Sequence, residues 1–262
     1  MPDVDYLSVR GVSKRFDAGD RAVTAIEDVS FDVPRGAFVS ILGPSGCGKS
    51  TLFNIIAGLL SPSGGDVLLE GASIVDRAGQ VGYMLQKDLL LPWRTIEDNI
   101  TLGQTLRGVS RREALAQAAP LIQRCGLHGF EQSRPSQLSG GMRQRAALLR
   151  TLLTGKDVLL LDEPFGALDA ITRLQLQLLL TDIWQELRKT ILFVTHDVDE
   201  ALLLSDEILL LTARPGRVLD RITVKMPRPR TPAMLADPAV AAQKADIMAL
   251  LWKEVGEHDQ AE

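Results

Sequence analysis

Cysteine is nearly absent from this 262-residue chain, positive charge is not in excess, and no hydrophobic run is long. Each shortage excludes a class of protein. Cys47 and Cys125 stand in unrelated contexts and do not suggest a disulfide framework. The formal net charge of -4 argues against a nucleic-acid partner, which calls for a basic field. No apolar run approaches the roughly 20 residues that span a bilayer. The first five residues, Met1-Pro2-Asp3-Val4-Asp5, are acidic and lack an apolar core, so no secretory signal is expected. Repeats and low-complexity tracts are missing as well. These absences point to a cytosolic protein whose membrane role, if it has one, runs through a partner.

What remains is an ordinary globular composition, 45% hydrophobic and 24% charged. The length suits one large α/β domain with a small appendage. Ser30-Phe31-Asp32-Val33 alternates as a half-exposed strand does. Three short apolar runs, at residues 37–42, 158–161 and 191–194, suit strands buried on both faces of a parallel sheet. Leu52, Ile55, Ile56 and Leu59 then repeat at helical spacing, in the strand–loop–helix order of a nucleotide fold. Residues 87–154 read as largely helical and too long for a simple crossover, so a helical subdomain inserted into the sheet domain is expected. Prolines cluster between Met226 and Pro238 and mark a boundary. Asp237-Pro238 opens an amphipathic helix through Val240, Ile247, Leu250, Leu251 and Val255, which has either its own domain or a neighbour to dock on. The expected division is a domain over 1–225 and a proline-rich linker with a helical extension over 226–262.

Polar chemistry gathers after the carboxyl ends of the three buried strands, where open α/β sheets hold ligands. Gly43-Pro44-Ser45-Gly46-Cys47-Gly48-Lys49-Ser50 fills the G-x-x-x-x-G-K-[ST] pattern. Its glycines let successive N–H groups converge on phosphate oxygens, and a helix starting near Lys49 adds its positive end. Lys49 is expected on the β- and γ-phosphates and the Ser50 hydroxyl on Mg²⁺, with Thr51 completing the segment. A chance glycine-rich turn is the bland alternative, but the position between a strand and a helix speaks against it. Cys47 offers its backbone to phosphate; a thiol at a helix N-terminus can also become reactive.

Asp162 ends the second apolar run and suits Mg²⁺ held through water. Glu163 beside it suits the polarisation of an attacking water. His196 ends the third run, placed to hydrogen-bond a γ-phosphate or that water. Two carboxylates or one histidine at strand ends are unremarkable alone. With a phosphate loop they read as a hydrolytic centre.

At this point the residues resemble the ATP-binding cassette family over nearly the whole chain. Leu138-Ser139-Gly140-Gly141-Met142-Arg143-Gln144-Arg145 is similar to that family's signature segment. Ser139, Gly140 and Gly141 open a helix, which makes a second phosphate-binding end. The resemblance implies that this end contacts ATP held by an opposite subunit, in a head-to-tail dimer of two copies. It further implies that Gln86 senses Mg²⁺ and the water, that Ala167-Leu168-Asp169 crosses the dimer interface, and that Phe16 stacks on adenine. An edge-strand core residue is the other reading of Phe16. Met142 departs from the glutamine common in the signature, which puts any polar contact through that side chain in doubt. The fold implied is a P-loop α/β core, a RecA-like mixed sheet with an antiparallel edge subdomain, plus the inserted helical subdomain.

Lys87-Asp88-Leu89-Leu90-Leu91-Pro92-Trp93-Arg94 resembles the family's groove for a coupling helix of a transmembrane permease; inward packing of these leucines is the alternative. This segment, Asp162 to Asp169, and Pro215-Gly216-Arg217-Val218 resemble the branch of nitrate, sulfonate, taurine and pyrimidine-precursor importers. Such ATPases work peripherally at the cytoplasmic face of the membrane, with a permease and an extracytoplasmic solute-binding protein. Competing readings are a stand-alone P-loop kinase or GTPase, an exporter ATPase, and a cassette acting on DNA or ribosomes. The first leaves the signature, Asp169 and His196 unexplained.

Overall fold

Leu7 starts a strand of 12 residues that the next strand answers in antiparallel register, Leu7 opposite Val33 and Ser8 opposite Asp32. The computed structural model describes residues 6–18, 21–166 and 168–259. The acidic Met1–Asp5 stretch and Ala167 lie outside the described residues. In chain order the elements are β1 (Leu7–Ala18), β2 (Arg21–Val33), β3 (Phe38–Leu42), α1 (Lys49–Ile56), β4 (Gly64–Leu69), β5 (Ala72–Ser73) and β6 (Gly82–Met84). There follow α2 (Ile96–Ile100), α3 (Leu102–Leu106), α4 (Arg111–Arg124), α5 (Gly140–Leu152), β7 (Val158–Asp162) and α6 (Ala170–Leu187). The chain ends with β8 (Thr190–Val194), α7 (Val198–Leu204), β9 (Glu207–Leu211), β10 (Val218–Thr223) and α8 (Pro238–Asp259). Two compact units result, residues 1–80 with 188–262, and residues 81–187.

The first unit carries two kinds of sheet. An antiparallel one has the order β2-β1-β4-β5. In the other, β3 lies between β8 and β9, parallel to both, with β10 antiparallel on β9. Every residue of β3 and β8 is buried, as continuous apolar runs in a covered parallel sheet require. α1 ends at Ile56, earlier than the spacing predicts. Gly58 turns the chain at φ 69, and Leu59 projects into solvent, 58% exposed. A glycine in the left-handed region stops a helix before its apolar period runs out.

The proline-rich segment and α8 dock on this same unit. Val240 and Ile247 of α8 join Leu42, Val198, Leu202, Leu210 and Met226 in one buried cluster, with Leu250 and Leu251 partly buried against it. Val255 has no described side chain. Two arginines strap the linker to the end of α7, where helix carbonyls lack intrahelical partners. Buried Arg230 donates to the carbonyls of Leu202 at 2.9 Å, Ser205 at 2.5 Å and Met226 at 2.9 Å. Burial, with the Arg228 charge beside it, brings the Arg230 pKa down to about 10. Arg228 donates to Leu204 O and to Asp206 Oδ1.

In the second unit β6 pairs parallel with β7, and α2 to α5 fall between them in sequence. Thr95 and Ser110 cap α2 and α4 through the Asp98 and Glu113 N–H groups. Ile96, Ile100, Ala114, Ala118, Ala146, Ala147 and Leu149 form fully buried faces of α2, α4 and α5. Residues 87–95, expected inside the helical stretch, form an irregular loop instead. Asn99, fully buried, holds it there: its Oδ1 accepts the Leu91 N–H and its Nδ2 donates to the Leu91 and Thr95 carbonyls. Pro92 also denies this loop a donor for helical pairing.

Candidate functional site

In the first unit the loop between β3 and α1 is shaped by glycines that no other residue replaces. Gly48 precedes α1 at φ 102, and a Cβ there would overlap Ile26 Cγ2 and lie 2.8 Å from Ala25 O. At Gly43 a Cβ would lie 2.9 Å from Cys47 Sγ and 3.1 Å from Leu211 O. Cys47 points its thiol inward, 1% exposed, so the backbone is the face it turns to the loop. Lys49 Nζ donates to the carbonyls of Gly43 at 2.7 Å and Pro44 at 2.9 Å. Ser45, Gly46 and Ser50 are exposed, Thr51 half-buried. The first turn of α1 has no acidic residue, so its positive end is not neutralised by its own side chains.

Two residues that sequence reasoning did not assign to this loop support it from about 170 positions away. Gly216 hydrogen-bonds β2 on both sides, N–H to Ala25 O at 3.0 Å and carbonyl from Glu27 N at 3.0 Å. A Cβ at Gly216 would overlap Cys47 O. Arg214 donates from Nε and Nη2 to Gly46 O at 3.3 and 3.2 Å. The signal was present, since Pro215-Gly216-Arg217 stood out, but it served only as a mark of kinship.

Phe16 on β1 is 40% exposed, which leaves it outside the core, and Lys14 Nζ stands 5.2 Å from its ring centroid. His196 is exposed at the end of β8, and its neighbours are fixed. Buried Thr195 donates to Glu200 Oε2 at 2.5 Å and accepts the Asp197 N–H at 3.0 Å. Asp197 caps α7 by accepting from the Asp199 and Glu200 N–H groups.

In the second unit Asp162 ends β7 with 5% exposure, and Glu163 follows at φ 46, a strained conformation for a residue with a side chain. Gln86 Nε2 donates to Glu163 Oε2 at 3.2 Å. Burial and then the Asp162 charge push the Tyr83 phenol well above its ordinary value, so its proton stays on. Ser139 caps α5, its Oγ accepting the Met142 N–H at 3.3 Å. That bond uses the backbone of residue 142, so methionine there leaves the cap intact. Ser139 and Gly140 are exposed. Gly141 packs so closely that a Cβ would meet Leu168 Cδ2 at 3.3 Å. Asp169 Oδ1 accepts the Thr172 N–H at 3.0 Å, which holds its carboxyl below the usual range. Thus one unit holds Phe16, the phosphate loop and His196, and the other holds Gln86, Asp162, Glu163, the Ser139 helix end and Asp169.

The ABC transporter family model matches residues 26–166, from β2 through the Glu163 turn. The chain belongs to the ABC transporter family. It is 44% identical to the taurine import ATP-binding protein TauB of Rhizobium johnstonii over 96% of each chain. With the aliphatic sulfonates import ATP-binding protein SsuB of Bacillus cereus it shares 43% identity, over 86% of this chain and 88% of that one. Among solved structures it superposes on the dimeric MJ0796 cassette with a TM-score of 0.75 at 30% identity, covering 84% of this chain and 99% of that one. The fold is therefore the ABC cassette fold, a mixed α/β core with an antiparallel β subdomain. The protein is an ATP-binding and ATP-hydrolysing transporter subunit. No helix among the described residues is long and apolar enough to cross a membrane.

Proposed function

We propose that this cassette powers import of a small sulfonate-type solute, working as a homodimer beneath a transmembrane permease fed by an extracytoplasmic solute-binding protein. The likeness to TauB and SsuB over most of the chain supports import and the solute class. The observation that carries the ATPase assignment to particular residues is the Gln86–Glu163 hydrogen bond beside Asp162 at the end of a buried strand.

The phosphate loop takes the triphosphate on its N–H groups and the end of α1, and Phe16 offers its face to the adenine. Lys49 leaves neutral carbonyls for charged phosphate oxygens, a stronger set of bonds. Glu163 accepts the proton of the attacking water, Gln86 orients that carboxylate and water, and His196 donates to the γ-phosphate. Ser139, Gly140 and Gly141 of the second copy close on the same nucleotide, and Asp169 addresses the opposite phosphate loop. Asp162, Ser50 and Gln86 offer a carboxylate, a hydroxyl and an amide, the hard oxygen donors that Mg²⁺ prefers over thiol or imidazole. When bound, the ion would neutralise negative charge on the phosphate oxygens.

In this reading residues 87–94 receive the permease. Leu89 and Trp93, 52% and 68% exposed, offer an apolar surface, whereas Leu90 turns inward at 7%. The peripheral location at the inner membrane face and the reading of 226–262 as an extension belong to the same proposal. To test it, tagged Glu163→Gln protein is trapped with ATP and isolated from native membranes. Co-purification of a multi-span permease, and uptake of labelled taurine or an alkanesulfonate by vesicles holding the same permease with the wild-type chain, is the expected result. Recovery with ribosomes or soluble proteins alone would overturn the transport reading.

A further inference from the structure

Residues just after Gln86 are bonded to the signature helix by two arginines. Asp88 uses both carboxylate oxygens: Oδ1 accepts the Leu90 N–H at 3.2 Å, and Oδ2 accepts Arg143 Nε at 3.1 Å. The same Arg143 guanidinium donates from Nη1 to Leu138 O at 2.8 Å, the carbonyl immediately before Ser139. About two turns along α5, Arg150 donates to the carbonyls of Leu89 at 2.7 Å and Asp88 at 2.6 Å. Leu89, between them, sits at φ 44 with its side chain turned outward.

We propose that Asp88 and Arg143 are positioning residues that tie the Gln86 loop to the phosphate-facing end of α5, so that displacement of one displaces the other. The proposal rests on the reading of Ser139 as a phosphate contact. Coulomb attraction is not what makes the link directional, because the side chains are 35% and 30% exposed and screened by solvent. Geometry does so. One planar guanidinium holds a carboxylate oxygen of the loop and a main-chain carbonyl at the helix start, and it cannot satisfy both if they shift apart. A push on Leu89 or Trp93 therefore reaches Leu138 without passing through the nucleotide. Arg150 is a different case. Burial lowers its pKa and both its bonds go to main-chain carbonyls, so it shapes the loop and does not link the loop to the cap.

The test uses the full-length chain and three readouts: steady-state ATP hydrolysis, affinity for a fluorescent ATP analogue, and melting temperature. Arg143→Met keeps the stem, Asp88→Asn keeps the acceptor for Leu90, and Arg143→Lys keeps the charge without the fork. Each is expected to lower kcat about tenfold, about 1.4 kcal/mol of barrier, with affinity changed less than about twofold and melting preserved. The double variant Asp88→Asn/Arg143→Met should lose no more than the worse single one. Losses that multiply, or a kcat that stays at wild-type level in both single variants, would overturn the link. If Arg143→Met fails to fold, Asp88→Asn and Arg143→Lys decide the matter by the same criteria. Ser139→Ala, run in parallel, separates the two claims. Full activity in that variant alongside coupled losses at 88 and 143 removes the signature contact and leaves the link standing.

Discussion

A methyl group added at Gly48 has nowhere to go: the backbone is at φ 102 and Ile26 and Ala25 close the space behind it. Gly48→Ala should therefore distort the phosphate loop and lower ATP affinity by about five- to hundredfold, from about 1–3 kcal/mol of backbone strain. Gly216→Ala should do the same by displacing Cys47 O, and Gly64→Ala, which meets open space, should not. Titration with a fluorescent nucleotide distinguishes the three. Glu163→Gln keeps the hydrogen-bonding shape but not the base, so turnover should fall about 10²–10⁴-fold with ATP affinity retained. Near-wild-type hydrolysis by that variant would remove Glu163 from the role. Cys125 differs from the usual thiol because burial pushes it up to about 12. Being protonated in the folded chain while an unfolded one ionises, it adds stability below about pH 9 that is lost as pH rises toward 12. At pH 8 the native protein should leave Cys125 unlabelled by iodoacetamide, read by peptide mass spectrometry.

Helix ends and linkers set the energetics at the scale of elements. Arg230 satisfies carbonyls at the end of α7 that water does not reach, and it spans from the linker to do so. Arg230→Met should destabilise the protein by about 1–3 kcal/mol, because buried carbonyls are left without donors. Ile247→Ala should cost about 2–5 kcal/mol by opening a cavity beneath α8. Both follow from denaturant unfolding. A result below about 0.5 kcal/mol for Ile247 would mean that α8 does not hold this site in solution. Strands β3, β7 and β8 were legible as apolar runs because burial on both faces leaves no exposed face for alternating polar residues, and Ser40 is the one polar residue inside them between their ends. The true end of α1 was obscured by Leu59, whose spacing continues a period that Gly58 has already broken.

At the scale of the whole molecule, the residues of the proposed site are divided between two compact units, Lys49 and His196 in one and Asp162 and Glu163 in the other. Nucleotide-dependent association is the test of the dimer: Glu163→Gln protein should elute as a monomer without nucleotide and as a dimer with ATP and Mg²⁺. Monomer in both conditions would count against two copies sharing their nucleotides. The amino-acid sequence by itself determined the phosphate loop, the Asp162-Glu163 pair, His196, the Ser139 helix start and the family. Those segments are contiguous in the chain, so their backbone curvature and charge are written locally. Tertiary structure alone decided that Gly216 and Arg214 brace the phosphate loop, that Asp88 meets Arg143, and that α8 packs on its own unit. Each joins residues separated by tens to hundreds of positions. A partner chosen by packing leaves no period or spacing in the chain that forms it.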